Sequence, residues 1–129
     1  MKINSVYIAC SFRTDWVITR PRVAQLREME VTVTSRWIDS REWCNPLGSG
    51  NVDLCALYAH QDFEDIDRAG AVLYFADFAS IGKHVEMGYA CAKLKPVFVI
   101  GRANSVFCFL PNVQRFDTWE AFIAWLAIP

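Results

Sequence analysis

Three short runs constrain the fold: Val6-Tyr7-Ile8-Ala9-Cys10, Ala71-Val72-Leu73-Tyr74-Phe75 and Pro96-Val97-Phe98-Val99-Ile100. They are apolar almost throughout rather than at alternate positions, as strands buried on both faces are. Pro96 stands at the first residue of its run, where a strand tolerates it. The β-branched stretch from Glu30 to Trp37 reads as a further strand, and Val113 to Phe116 as a short fifth. Helical segments separate them. One carries Val23, Leu26 and Met29, with Pro21 expected near its start rather than in its middle. A long one runs from about Val52 to Arg68, and another follows the Ser80–Lys83 turn as far as Leu94. The last opens with Asp117 as N-cap and Glu120 three residues on. Strands alternating with helices predict one domain over residues 1–129. Its architecture is a parallel sheet of about five strands with helices on both faces, a Rossmann-like or flavodoxin-like three-layer sandwich.

The composition fits such a domain and excludes several partners. Of the 129 residues, 53% are hydrophobic and 21% charged, which separates the chain from disordered sequences. A formal net charge of -1 leaves no basic footprint for nucleic acid and no polybasic membrane patch. No apolar run approaches the roughly 20 residues that span a bilayer. Met1-Lys2 leads straight into a short apolar run with no signal peptide, so a cytoplasmic protein is expected. Cys10, Cys44, Cys55, Cys91 and Cys108 form no CxxC pair. They read as apolar fillers of a reducing compartment rather than a disulfide framework or zinc site. No metal or cofactor is expected, and neither GxGxxG nor GxxxxGK[ST] occurs.

In open parallel sheets, ligands bind beyond the carboxyl ends of the strands. The loops 11–15, 38–51 and 76–83 lie there. The third leads into Ser80-Ile81-Gly82-Lys83-His84-Val85-Glu86-Met87-Gly88-Tyr89-Ala90, which places Glu86 early in a helix that follows a buried strand. A helix start offers unpaired N–H groups and a positive dipole end, which hold a phosphate and keep a carboxylate ionised. Gly82 and Gly88 flank Glu86 and permit close approach. Against catalysis, an acidic residue in a first turn often only complements the dipole. Ser80 reads either as a plain N-cap or as a phosphate ligand, and Ser11 and Arg13 invite the same two readings. Asp62, Asp65 and Ile66 share one side of the long helix; the acid nearest its start, Asp62, is expected toward the strand ends and Asp65 and Asp67 on the surface, a choice that spacing alone does not settle. Tyr7 alone would pass for a core tyrosine.

Taken together, Tyr7, Asp62 ahead of Ile66, and the block from Ser80 to Ala90 resemble the nucleoside 2-deoxyribosyltransferase superfamily. The likeness is nearest to its small branch of deoxynucleoside 5'-monophosphate N-glycosidases. That resemblance implies Glu86 as the nucleophile at C1' of the sugar, Asp62 assisting protonation of the base, and Tyr7 orienting glutamate and sugar. It implies a phosphate held by Ser80, with Ser11 and Arg13 in the phosphate loop. It further implies a homodimer or higher homo-oligomer in which Asn104 or Ser105 completes the partner's site. Cys10 and Ile81 depart from the family pattern, which often has glycine at both positions. The reaction implied is hydrolysis of a nucleotide's N-glycosidic bond. Base exchange by a transferase and a non-catalytic nucleotide sensor stand as alternatives.

Overall fold

Val6 to Ala9, Ala71 to Phe75 and Val97 to Ile100 are buried at every residue, and they form the three central strands. The computed structural model describes residues 2–10, 16–40, 52–76 and 80–129. Strands β1 (Ser5–Ala9), β2 (Thr32–Val33), β3 (Ala71–Phe75), β4 (Val97–Ile100) and β5 (Val113–Phe116) pair in the order β2-β1-β3-β4-β5. All pairs are parallel, with Tyr7 opposite Val72, Leu73 opposite Phe98 and Val99 opposite Arg115. The helices are α1 (Trp16–Glu28), α2 (Trp37–Ser40), α3 (Val52–Arg68), α4 (Ile81–Ala92) and α5 (Trp119–Ala127), with a 3-10 turn at Val106–Phe109. On one flank, α1 and α5 are joined by Trp119 Nε1 donating to Gln25 Oε1 at 2.7 Å. On the other, α3 and α4 meet where the Phe63 and Tyr89 rings stack at 4.3 Å. The parallel three-layer architecture matches the sequence expectation. No helix among the described residues is long and apolar enough to cross a membrane.

The second strand is much shorter than expected. Only Thr32 and Val33 pair, because β1 finds side-chain partners beyond them. Ser35 Oγ accepts from the Ile8 amide at 2.6 Å, and Trp37 Nε1 donates to the Ile8 carbonyl at 3.1 Å. With those backbone groups satisfied, no further ladder is needed, and the chain turns into α2 with Trp37 buried. Pro21 lies inside α1 rather than near its start. The cap of α5 is Thr118, not Asp117: its hydroxyl accepts from the Ala121 amide at 3.1 Å.

Two further expectations fail. Asp65 is fully buried, because its carboxylate meets the Arg36 amide at 2.9 Å, the Arg36 Nε at 2.8 Å and the Arg68 guanidinium. Three donors offset the cost of enclosing the charge. Cys10 and Cys108 are buried thiols as expected and Cys91 is a half-buried one, but Cys55 on α3 is disulfide-bonded. A disulfide depends on the separation and direction of two side chains in the fold, which spacing along the chain does not reveal.

Candidate active site

The strand order reverses direction of growth at β1, whose neighbours are β2 and β3, so the ligand crevice of this sheet type lies over β1 and β3. Helix α4 begins close by, after β3, and carries the acid that the sequence singled out. Glu86 is half-buried, with its Oε2 atom enclosed.

Ser80 occupies the N-cap position of α4 in extended conformation, yet its side chain makes no capping hydrogen bond. The plain capping role therefore does not account for it. A side chain begun at Gly82 would meet Glu86 Oε1 at 3.8 Å and Ser80 Oγ at 3.9 Å. The hydroxyl, the carboxylate and the exposed glycine between them thus border one small space over the first turn of α4. That turn's N–H groups and the positive dipole end favour an anion at the same place.

The remaining expected residues distribute as follows. Tyr7 sits in the middle of β1, with no solvent exposure and its phenol oxygen enclosed. Asp62 is half-buried on α3. Ser11 and Arg13 lie outside the described residues, as do residues 41–51 of the Trp43 loop and 77–79 of the loop before α4. Asn104 and Ser105 are not on the Glu86 flank. They line a cavity of about 460 Å³ against His84, Met87, Gly88 and Cys91, residues whose spacing defines one face of α4 from which Glu86 is turned away. Asn104 Nδ2 donates to the Tyr74 hydroxyl at 3.0 Å, and that hydroxyl lies 2.9 Å from His84 Nδ1. Burial raises the phenol pKa of Tyr74 above its ordinary value, and the Asn104 bond opposes the shift.

Sequence reasoning missed Lys83. It is completely enclosed, and its ammonium donates to the carbonyl of Phe75, the last residue of β3, at 2.7 Å. The available signal was periodic. Lys83 shares its face of α4 with buried Met87 and Ala90, four and seven residues on.

No protein-family model matches the sequence, and no curated protein matches it significantly. Solved structures do resemble it. A CMP N-glycosidase, BcmB, from Clostridium botulinum superposes with a TM-score of 0.62 at 17% identity, over 95% of this chain and 97% of the other. A 2-deoxyribosyltransferase from the psychrotolerant bacterium Bacillus psychrosaccharolyticus gives 0.65 at 18% identity, over 90% and 88%. A conserved protein of Enterococcus faecalis V583 gives 0.60 at 14% identity, over 95% and 85%. The chain therefore has the fold of these N-glycosidase and deoxyribosyltransferase structures, the one that the block around Glu86 implies.

Proposed function

We propose that the protein hydrolyses the N-glycosidic bond of a 2'-deoxynucleoside 5'-monophosphate, releasing free base and deoxyribose 5-phosphate. The observation that carries this reading is the shared space of Ser80 Oγ and Glu86 Oε1 over Gly82, at a helix start where the serine does not cap. A sugar phosphate needs such a pair: a donor-rich anion seat, and a carboxylate a few ångströms from it. The fold shared with a CMP N-glycosidase supports the substrate class.

In the proposed reaction a Glu86 oxygen forms a bond to C1' as the bond from C1' to the base nitrogen breaks. The departing base takes its proton from Asp62. Water then attacks C1' of the glycosyl-enzyme ester, gives its proton to the Asp62 carboxylate and frees Glu86. Tyr7 orients the glutamate. Ser80 and the first-turn amides hold the phosphate with Ser11 and Arg13, and Asn104 or Ser105 reaches the site of a second copy. No metal or cofactor takes part.

The test is chromatography for free base after incubation with deoxynucleoside and ribonucleoside monophosphates; ribonucleotides belong in the panel because CMP carries a ribose. Release from at least one, and loss of at least about 10³-fold in Glu86→Gln, is expected. Full activity in Glu86→Gln removes the nucleophile assignment, and no release from any member removes the hydrolase. The likeness to a 2-deoxyribosyltransferase favours a second reading, base exchange through the same intermediate. Adding a second free base then yields a new nucleotide or nucleoside instead of sugar phosphate.

A further inference from the structure

Among the described residues, Lys83 and Asp65 are the charged side chains with no exposure at all. Asp65 accepts from two guanidinium groups, and the Lys83 ammonium donates a hydrogen bond to the Phe75 carbonyl. Enclosing an ammonium costs several kcal/mol, and a hydrophobic residue of similar length would fill the same space without that cost. Such a residue could not make the bond to the Phe75 carbonyl, and that bond gives Lys83 a role beyond packing.

Its location gives that role. Phe75 ends β3 and Lys83 lies in the first turn of α4, so the 2.7 Å bond ties the helix start to the strand end across the connecting loop. Glu86 follows one helical turn later, at the spacing where side chains of a helix are neighbours. The Lys83 ammonium also lies 5.2 Å from the Tyr74 ring centroid, which fixes it against the sheet.

We propose that Lys83 is a positioning residue for Glu86, its buried bond to the Phe75 carbonyl holding the first turns of α4 at the end of β3. This rests on reading Glu86 as the reacting carboxylate, and the experiment separates the two. In the full chain, Lys83→Met is expected to lower kcat for base release by about 10²-fold, the cost of a small misplacement of a reacting group, with KM little changed. Lys83→Arg, which can still donate to the carbonyl, recovers most of that loss. Independently of turnover, hydrogen exchange of amides 85–88 accelerates about tenfold in Lys83→Met while the amides of α5 keep their rates. If the wild type releases no base, the hydrolase reading fails and the exchange result alone decides the role of Lys83. Wild-type kcat, unchanged exchange, or equal acceleration in α4 and α5 overturns the proposal. Should Lys83→Met not fold, Lys83→Gln, with a shorter neutral donor, is expected to show the same local acceleration, and wild-type exchange in that variant overturns it.

Discussion

The Tyr74 hydroxyl lies 2.9 Å from His84 Nδ1 while accepting a hydrogen bond from Asn104 Nδ2 at 3.0 Å. An amide nitrogen only donates, and the tautomer of His84 decides whether the phenol donates to Nδ1 or accepts from it; the expected arrangement is donation, with the His84 proton on Nε2. Nitrogen-15 correlation spectra at neutral pH should show that tautomer, with Nδ1 unprotonated. Tyr74→Phe removes the phenol from this chain, and a loss of about 1 kcal/mol in thermal unfolding is expected, with His84 becoming a tautomer mixture. The pH dependence has a defined sign. Because burial raises the folded-state pKa of Tyr74, its contribution is complete below the unfolded value near 10. That contribution disappears as pH rises through the folded value. Wild type should therefore lose stability relative to Tyr74→Phe only in strong alkali; parallel curves there would refute the assignment.

How much of this was legible in the sequence follows from what each residue faces. The runs around Ile8, Leu73 and Val99 declare themselves because both faces of those strands are covered, so no polar residue interrupts them. Helix α4 and its Ser80–Glu86 start are legible for a similar reason: a buried strand must be followed by a loop and a helix N-terminus. Residues 34–37 were illegible because side chains of Ser35 and Trp37 take over bonds that a strand would make. Charge suggests solvent for both Lys83 and Asp65: the partner that buries Asp65, Arg36, is distant in sequence, whereas Lys83 is betrayed locally only by the helical face that it shares with Met87 and Ala90. The Tyr74–Asn104 contact joins residues thirty positions apart, which no local pattern encodes.

Gly82 offers a prediction in which stability and activity move in opposite directions. The space at its Cβ is ordinary van der Waals distance from Glu86 Oε1 and Ser80 Oγ, so alanine fits the fold. Within a helix that exchange stabilises by up to about 1 kcal/mol. The added methyl stands in the space where the sugar phosphate is proposed to sit. Gly82→Ala should therefore melt no lower than wild type while KM for the monophosphate rises. A variant that melts higher with unchanged KM would place the phosphate elsewhere.

Asp65 anchors the segment after β2 to α3, accepting from the Arg36 amide and Nε and from Arg68. Its arginine partners are partly exposed, with side-chain accessibilities of 40% and 58%, so they rehydrate when the carboxylate is removed. The Arg36 amide is part-buried, and leaving that donor unmade sets the expected loss in Asp65→Ala at about 1–3 kcal/mol. Denaturant titration measures it, and a loss below a few tenths of a kcal/mol would show that the network is ornamental. Asp65 has no part in the proposed reaction, so the kcat of the folded variant should stay at the wild-type level.

The last prediction concerns the second copy. Val106, Phe107 and Phe109 are exposed by 78%, 62% and 62%, beside the cavity that Asn104 and Ser105 line. Val85 on the outer side of α4 is exposed by 53%. Large exposed apolar patches mark interaction surfaces, and a two-fold interface formed by these side chains would bury the same patch on both copies. Analytical ultracentrifugation should give a dimer, and Phe107→Asp should give a monomer of unchanged fold with reduced base release. A monomeric wild type with full activity would exclude the arrangement. Shared sites add a sharper measurement. Under the proposed roles, Glu86→Gln protein would lack the reacting group in its own sites, whereas Asn104→Ala protein would lack the group lent to its partner. Each alone should be weak, yet a heterodimer of the two contains one site with both groups intact. Random mixing makes half the dimers heterodimers, so roughly a quarter of wild-type activity should appear after exchange of subunits. If mixing restores nothing although heterodimers form, Asn104 acts only within its own chain.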